Sequence, residues 1–279
     1  MLEYRGVRAL CLVLACFFAA LPARACDLSL AARPGEVATY VEGARACLAA
    51  PPLGFEFDSD LEAGFLNLVN AERAAHGLSP LSLRRDLEAP ARFHSLDMAV
   101  NGFFGHVGPD GRTPDARIAS LDRRVFADFS AENVATLSRT GGTLGPKFAL
   151  KRLHENLMDS PSHRENILHP KATQAAFGVV RTRNGVWVTQ LFLRATGTLA
   201  EEVPLRMPER PRLAAPAVQK DWTFVRYDML TVAGQPFGSP GVPAGAHDAR
   251  VSVYATQPGE TANAFYFIRF PGPAFTVRR

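Results

Sequence analysis

The stretch AAFGVVRTRNGVWVTQLFLR, residues 175–194, decides the fold class. Two runs rich in Val, Phe and Leu flank the pair Asn184-Gly185, and an Asn-Gly pair between β-forming runs is the strongest short-range signal of a β-hairpin. Helical patterns precede it. Leu61, Phe65, Leu68, Val69 and Glu72 share one helical face behind a capping-box signature at Ser59 and Glu62. Leu87, Ala91, His94 and Met98 recur at helical spacing between about Asp86 and Asn101, and Phe148, Leu150, Leu153 and Leu157 mark a helix over 146–158. Ser160 and Pro161 then open a capped turn that carries His163. Helices first and an antiparallel hairpin afterwards predict an α+β sandwich rather than a βαβ repeat.

Working outward, Val37, Val41, Ala44 and Leu48 predict a short helix ending near Cys47, within an N-terminal helical segment over 26–58. The main domain follows over 59–196. Residues 197–219 are proline-rich and read as a linker. Beyond it WTFVRYDML, RVSVYAT and NAFYFIRF read as strands of a small β-rich module over 220–279.

Residues 1–25 read as a signal peptide: Arg5 and Arg8 precede the apolar run ALCLVLACFFAALPA, and Ala-Arg-Ala at 23–25 is a small-x-small cleavage site. The run is shorter than the roughly 20 residues of a bilayer span, so no transmembrane segment is expected after cleavage. The expected location is the periplasm or the cell exterior. Cleavage leaves Cys26 and Cys47, an even pair that predicts one disulfide in an exported chain. The formal net charge of +4 includes Arg5, Arg8 and Arg24 against Glu3, so a mature chain near +2 gives no basis for binding nucleic acid or a membrane surface.

Four residues are candidates for chemistry. His94 lies on an apolar helix face, His106 follows the bend in FFGHVGPDG, Glu132 sits in FSAENVA, and His163 opens the capped helix. Singly, each has an ordinary structural explanation. Three histidines and a carboxylate are also the makings of a zinc or general-base site, but the spacing matches no compact metal motif. No GxSxG or HExxH context is present.

The ordered blocks FLNLVNAERAAHGLSPL, ARFHSLDMAVNGFFGHVGPDGRTPDARI, AENVA, LMDSPSHRENIL and GVWVTQLF resemble the bacterial, SCP-like branch of the CAP superfamily, which comprises cysteine-rich secretory proteins, antigen 5 and pathogenesis-related 1 proteins. The resemblance implies an α-β-α sandwich with an antiparallel central sheet and a large cleft. His106 and His163 would be the two cavity histidines, Glu132 the cavity glutamate, and His94 the histidine typical of the bacterial branch. Asn133 is counted with them as a cleft residue, and Asn133 and Asn166 are read as bonding backbone near the cleft. It implies a ligand- or partner-binding module for a small apolar molecule or a cell-envelope protein, with Zn2+ or another divalent cation at His106 and His163. A metal-assisted hydrolase in the same cleft, or a structural protein without chemistry, are the alternatives. Ala131 replaces the usual glycine, Leu157 the usual tryptophan, and the second cavity glutamate of animal members, near the position of Ser160, is not replaced by a carboxylate, which leaves their tetrad incomplete.

Overall fold

The computed structural model describes residues 26–28, 35–237, 242–261 and 264–278. The signal-peptide expectation for 1–25 lies outside the described residues. The elements run α1 (Val37–Ala49), β1 (Glu56–Phe57), α2 (Ser59–Ala75), β2 (Ser82–Leu83), α3 (Glu88–Asn101), α4 (Pro114–Leu121), β3 (Val125–Ser138), α5 (Pro146–Asp159), α6 (Pro161–Ile167), β4 (Gln174–Arg181), β5 (Gly185–Thr198), β6 (Arg206–Met207), β7 (Ala217–Val218), β8 (Thr223–Leu230), β9 (Asp248–Pro258) and β10 (Phe265–Val277). The first sheet has the order β1-β4-β5-β3, with β2 beside β4 and β7 beside β5. The long pairings β4–β5 and β3–β5 are antiparallel.

The two-residue period of the strands builds the sandwich. Phe177, Val179, Val188 and Phe192 turn to one face and pack under Phe65 and Val69 of α2 and Leu153 and Leu157 of α5. Ala176, Leu191 and Leu193 turn to the other, against Ala91 of α3 and Ile118 of α4. An α-β-α sandwich results, as the resemblance implies, within the α+β class that the residues' pattern predicts.

Local chemistry departs from the sequence reading in places. The cap of α2 is Asp58, whose carboxylate accepts from the Leu61 N–H at 3.0 Å, while Glu62 turns inward to Arg92. The hairpin bends at Arg183 and Asn184, with the Thr182 N–H donating to Gly185 O, so Gly185 begins the return strand. On α5 the buried stripe is Ala149, Leu153, His154 and Leu157, and Phe148 is exposed. His154 is buried beside Glu72. Ser160 is the N-cap of α6 by backbone, without a side-chain bond. Residues 105–114, whose glycines and prolines read as a loop, lead into helix α4, which is capped by Thr113 with Pro114 at its first position.

The second sheet has the order β6-β10-β9-β8 over a core of Met229, Val251, Val253, Phe270 and Phe275. The proline-rich stretch before it runs along the body: Leu199, Val203 and Met207 are buried, and β7 pairs with β5. Cys26 and Cys47 form a disulfide. Among the described residues no helix is long and apolar enough to cross a membrane.

Candidate functional site

The site forms where β3 ends the first sheet. Adjacent residues of a strand point to opposite faces, so Glu132 turns toward α3 and α4, while Asn133 turns toward α6. The loop that follows α3 brings His106 to the first side, and α6 brings His163 to the second. The two histidines thus approach the open edge of β3 from opposite faces of the sheet.

Glu132 is clamped. Its Oε1 accepts from His106 Nδ1 at 2.8 Å, and its Oε2 accepts from Arg117 Nη2 at 2.6 Å. Arg117, on α4, also donates to the carbonyls of His106 and Arg112 at 2.8 and 2.9 Å. The guanidinium therefore fixes both the carboxylate and the loop that carries the histidine. Sequence reading missed Arg117; the available signal was the Thr113-Pro114 helix start, which places Arg117 in the first turn beyond a loop already under suspicion.

His94 has another role than the cleft wall the resemblance implies. It is fully buried, its Nε2–H donates to Gly105 O at 2.8 Å, and Nε2 lies 3.9 Å from Glu132 Oε1. Buried beneath the loop, it braces the chain just before His106 and does not reach the surface. Burial, with Arg117 nearby, pushes its pKa down to about 4, so the ring is neutral at physiological pH.

His106 is half-exposed and its pKa is raised, chiefly by the hydrogen bond to Glu132. His163 is shifted the other way, by burial first and by His106 second. One side of the edge thus favours an imidazolium and the other a neutral ring. Below them runs an amide chain: Asn166 Nδ2 donates to Asn133 Oδ1 at 2.9 Å and to Glu132 O at 3.2 Å, and Asn133 Nδ2 donates to His163 O and to Gln190 Oε1. Asn133 and Asn166 therefore anchor α6, and with it His163, to the strand. Asn133 is fully buried, so it supports the cleft from beneath instead of lining it.

The donor set does not fit a catalytic zinc. Such a site takes three protein ligands and an open position. Here Glu132 is turned inward with a cation or an imidazole on each oxygen, leaving only His106 and His163. Among the described residues no group of three or more His, Cys, Asp or Glu side chains is placed to hold an ion. The serine beside His94 is no nucleophile either, because Ser95 Oγ is buried and bonded to Gly178 O and Thr189 Oγ1, both at 2.8 Å.

Residues 66–192 match the profile of the cysteine-rich secretory protein family, CAP. An uncharacterized protein of Bacillus subtilis (strain 168), YkwD, is 31% identical over 132 residues, covering 47% of this chain and 47% of that protein. The chain thus spans about half the length of that curated relative. An extracellular SCP-domain protein from Bacillus anthracis str. Ames is 25% identical with a TM-score of 0.41, over 49% of this chain and 41% of its own. A cysteine-rich secretory protein from Staphylococcus aureus subsp. aureus Mu50 is 22% identical with a TM-score of 0.37, over 51% of this chain and 40% of its own. The sandwich segment over residues 66–192, with the clamped glutamate at its open edge, is thus the part of the chain that is similar to the cysteine-rich secretory protein family, CAP.

Proposed function

We propose that the chain is an exported binding module whose cleft, over the open edge of β3, holds an amphipathic ligand: an apolar body with an anionic head. The observation that carries this reading is the make-up of the loop between α3 and α4. Phe104 and Val107 are 58% and 52% exposed on either side of the half-exposed His106. Large apolar side chains grouped with one polar anchor are the composition of a small-molecule site, and their exposure together marks a contact surface. His106, favoured as a cation by Glu132, suits an anionic head, and His163 offers a neutral imidazole from the other side. The buried Arg117–Glu132 pair keeps the loop in place. The Cys26–Cys47 disulfide supports export to an oxidising compartment, periplasmic or extracellular.

Palmitate is a suitable probe. Calorimetric titration of the tag-free chain from Cys26 onward is expected to show saturable one-to-one binding. Replacing Phe104 and Val107 together by Ser is expected to weaken it by about tenfold or more, with the melting temperature unchanged. Absence of saturable uptake, or equal uptake by the double variant, would refute the reading.

A further inference from the structure

Along the same strand, away from the histidines, β3 offers a second kind of chemistry. It ends the strand order, so among the described residues its outer edge carries no partner strand. In an antiparallel strand successive residues turn their main-chain groups alternately toward the neighbour and away from it. Two hydrogen bonds fix which residues turn outward. Glu132 O accepts from Asn166 Nδ2 on the outer side. Leu193, the residue opposite Ser130, gives its carbonyl to the Thr173 N–H on the side away from β3. Ser130 therefore directs its own N–H and C=O out of the sheet, as Glu132 does, and it is exposed. Among the described residues no hydrogen-bond partner meets either group.

A groove of about 330 Å³ borders this edge, between it, α4 at Asp115 and Ile118, and β10. Its near wall is Asp128, Phe129 and Ser130, and its far wall is Ile268, Arg269 and Pro271 of β10. β10 has no partner strand on that side at this point, since β6 reaches only Thr276 and Val277. Proline has no N–H to offer a new strand, so Pro271 and Pro273 blunt that wall and leave β3 as the pairing edge. The charges around the groove are already matched: Asp128 with Arg194, Asp115 with Arg250, and Asp228 with Arg269. Nothing there selects an ion. The unmet chemistry is main-chain hydrogen bonding.

We propose that this groove binds an extended peptide, which adds to the free edge of β3 at Ser130 as a further strand and is enclosed by Ile268 and Arg269 of the second sheet. In strand addition the main-chain bonds supply affinity, and pockets for alternate side chains supply specificity. Neither Phe104 nor Val107 lines the groove, which takes a different class of ligand. The two sites therefore stand or fall separately.

The test is a fluorescence-anisotropy titration of the chain from Cys26 onward with a labelled, end-blocked hexapeptide of alternating valine and threonine, against its analogue N-methylated at alternate amides. The parent peptide is expected to bind, and N-methylation to weaken it by about tenfold or more. Ser130→Pro, which deletes the outward N–H, is expected to do the same. Because a proline there can itself impair folding, Ile268→Trp is the second variant: it fills the groove from the other sheet, and the same loss is expected at an unchanged melting temperature and unchanged palmitate affinity. No saturable binding of the parent peptide up to about 1 mM overturns the proposal. So does binding that is indifferent to N-methylation or to Ile268→Trp.

Discussion

Arg117 and Glu132 have side chains 3% and 2% exposed, and each is the other's counter-ion. Removing one member of such a pair strands the other in low dielectric, at a cost of about 3–5 kcal/mol. Glu132→Ala is therefore expected to lower unfolding free energy in urea by about that amount, and Glu132→Gln by less, because an acceptor is kept. A loss below about 1 kcal/mol would show that the pair contributes no more than a surface bridge does. His94 gives a pH signature. Its folded pKa is pushed down to about 4 from 6.5, so below pH 6.5 the unfolded chain binds the proton that the folded chain refuses. Stability attributable to His94 is thus full above pH 6.5 and falls by about 3 kcal/mol as the pH drops toward 4. The difference in stability between wild type and His94→Gln should track that window; a difference constant with pH would contradict the assignment. His106, Glu132 and His163 were legible in the sequence through the resemblance of their blocks. Arg117 was not, because an arginine near a helix start has the same appearance whether it faces water or a buried carboxylate.

The hairpin was legible as an element because β-branched and aromatic runs around a turn admit few other readings. Its bend was not: Asn184-Gly185 suggested the two turn residues, whereas the chain turns one residue earlier, at Arg183 and Asn184, neither of which is at positive φ. Helix α4 was hidden by its own flank, since the glycines and prolines of GHVGPDGRTP mark a loop that ends in a cap. Gly178 shows what packing demands beyond pattern. A Cβ at this position of β4 would overlap the main chain of Ala91 and Arg92, so α3 can lie against the sheet only over a glycine. Gly178→Ala is expected to cost about 3 kcal/mol, measured by urea unfolding, as overpacking against a rigid backbone does. A neutral effect would mean that α3 shifts freely, and with it the brace that His94 gives to the His106 loop.

At the scale of the whole molecule, the two sheets are joined through buried polar contacts. Arg123 is 1% exposed and donates to the carbonyls of Ser120, Val203, Pro204 and Ala274. Arg250 pairs with Asp115 of α4, and the Ala38 N–H donates to Thr276 Oγ1 at 3.0 Å. The strands of 220–279 were legible from their residues; these attachments were not, since partners such as Arg250 and Asp115 are 135 residues apart and no local pattern links them. The two tryptophans report the two sheets separately, Trp187 on β5 and Trp222 beside the core of the second sheet. Urea unfolding followed in Trp187→Phe and in Trp222→Phe should give coincident midpoints once each variant's stability is matched by circular dichroism, as expected of one cooperative unit. Separate midpoints would show that the second sheet unfolds on its own.

In the proposed binding mode, His106 and His163 face a common ligand from the two sides of β3 while His94 stays beneath. Histidine-ring NMR of the chain from Cys26 onward, titrated with palmitate, tests it directly. The His106 and His163 ring signals are expected to move together to saturation, and the His94 signal is expected to stay in place. Shifts confined to other residues, or a His94 ring that responds as strongly as the other two, would contradict it.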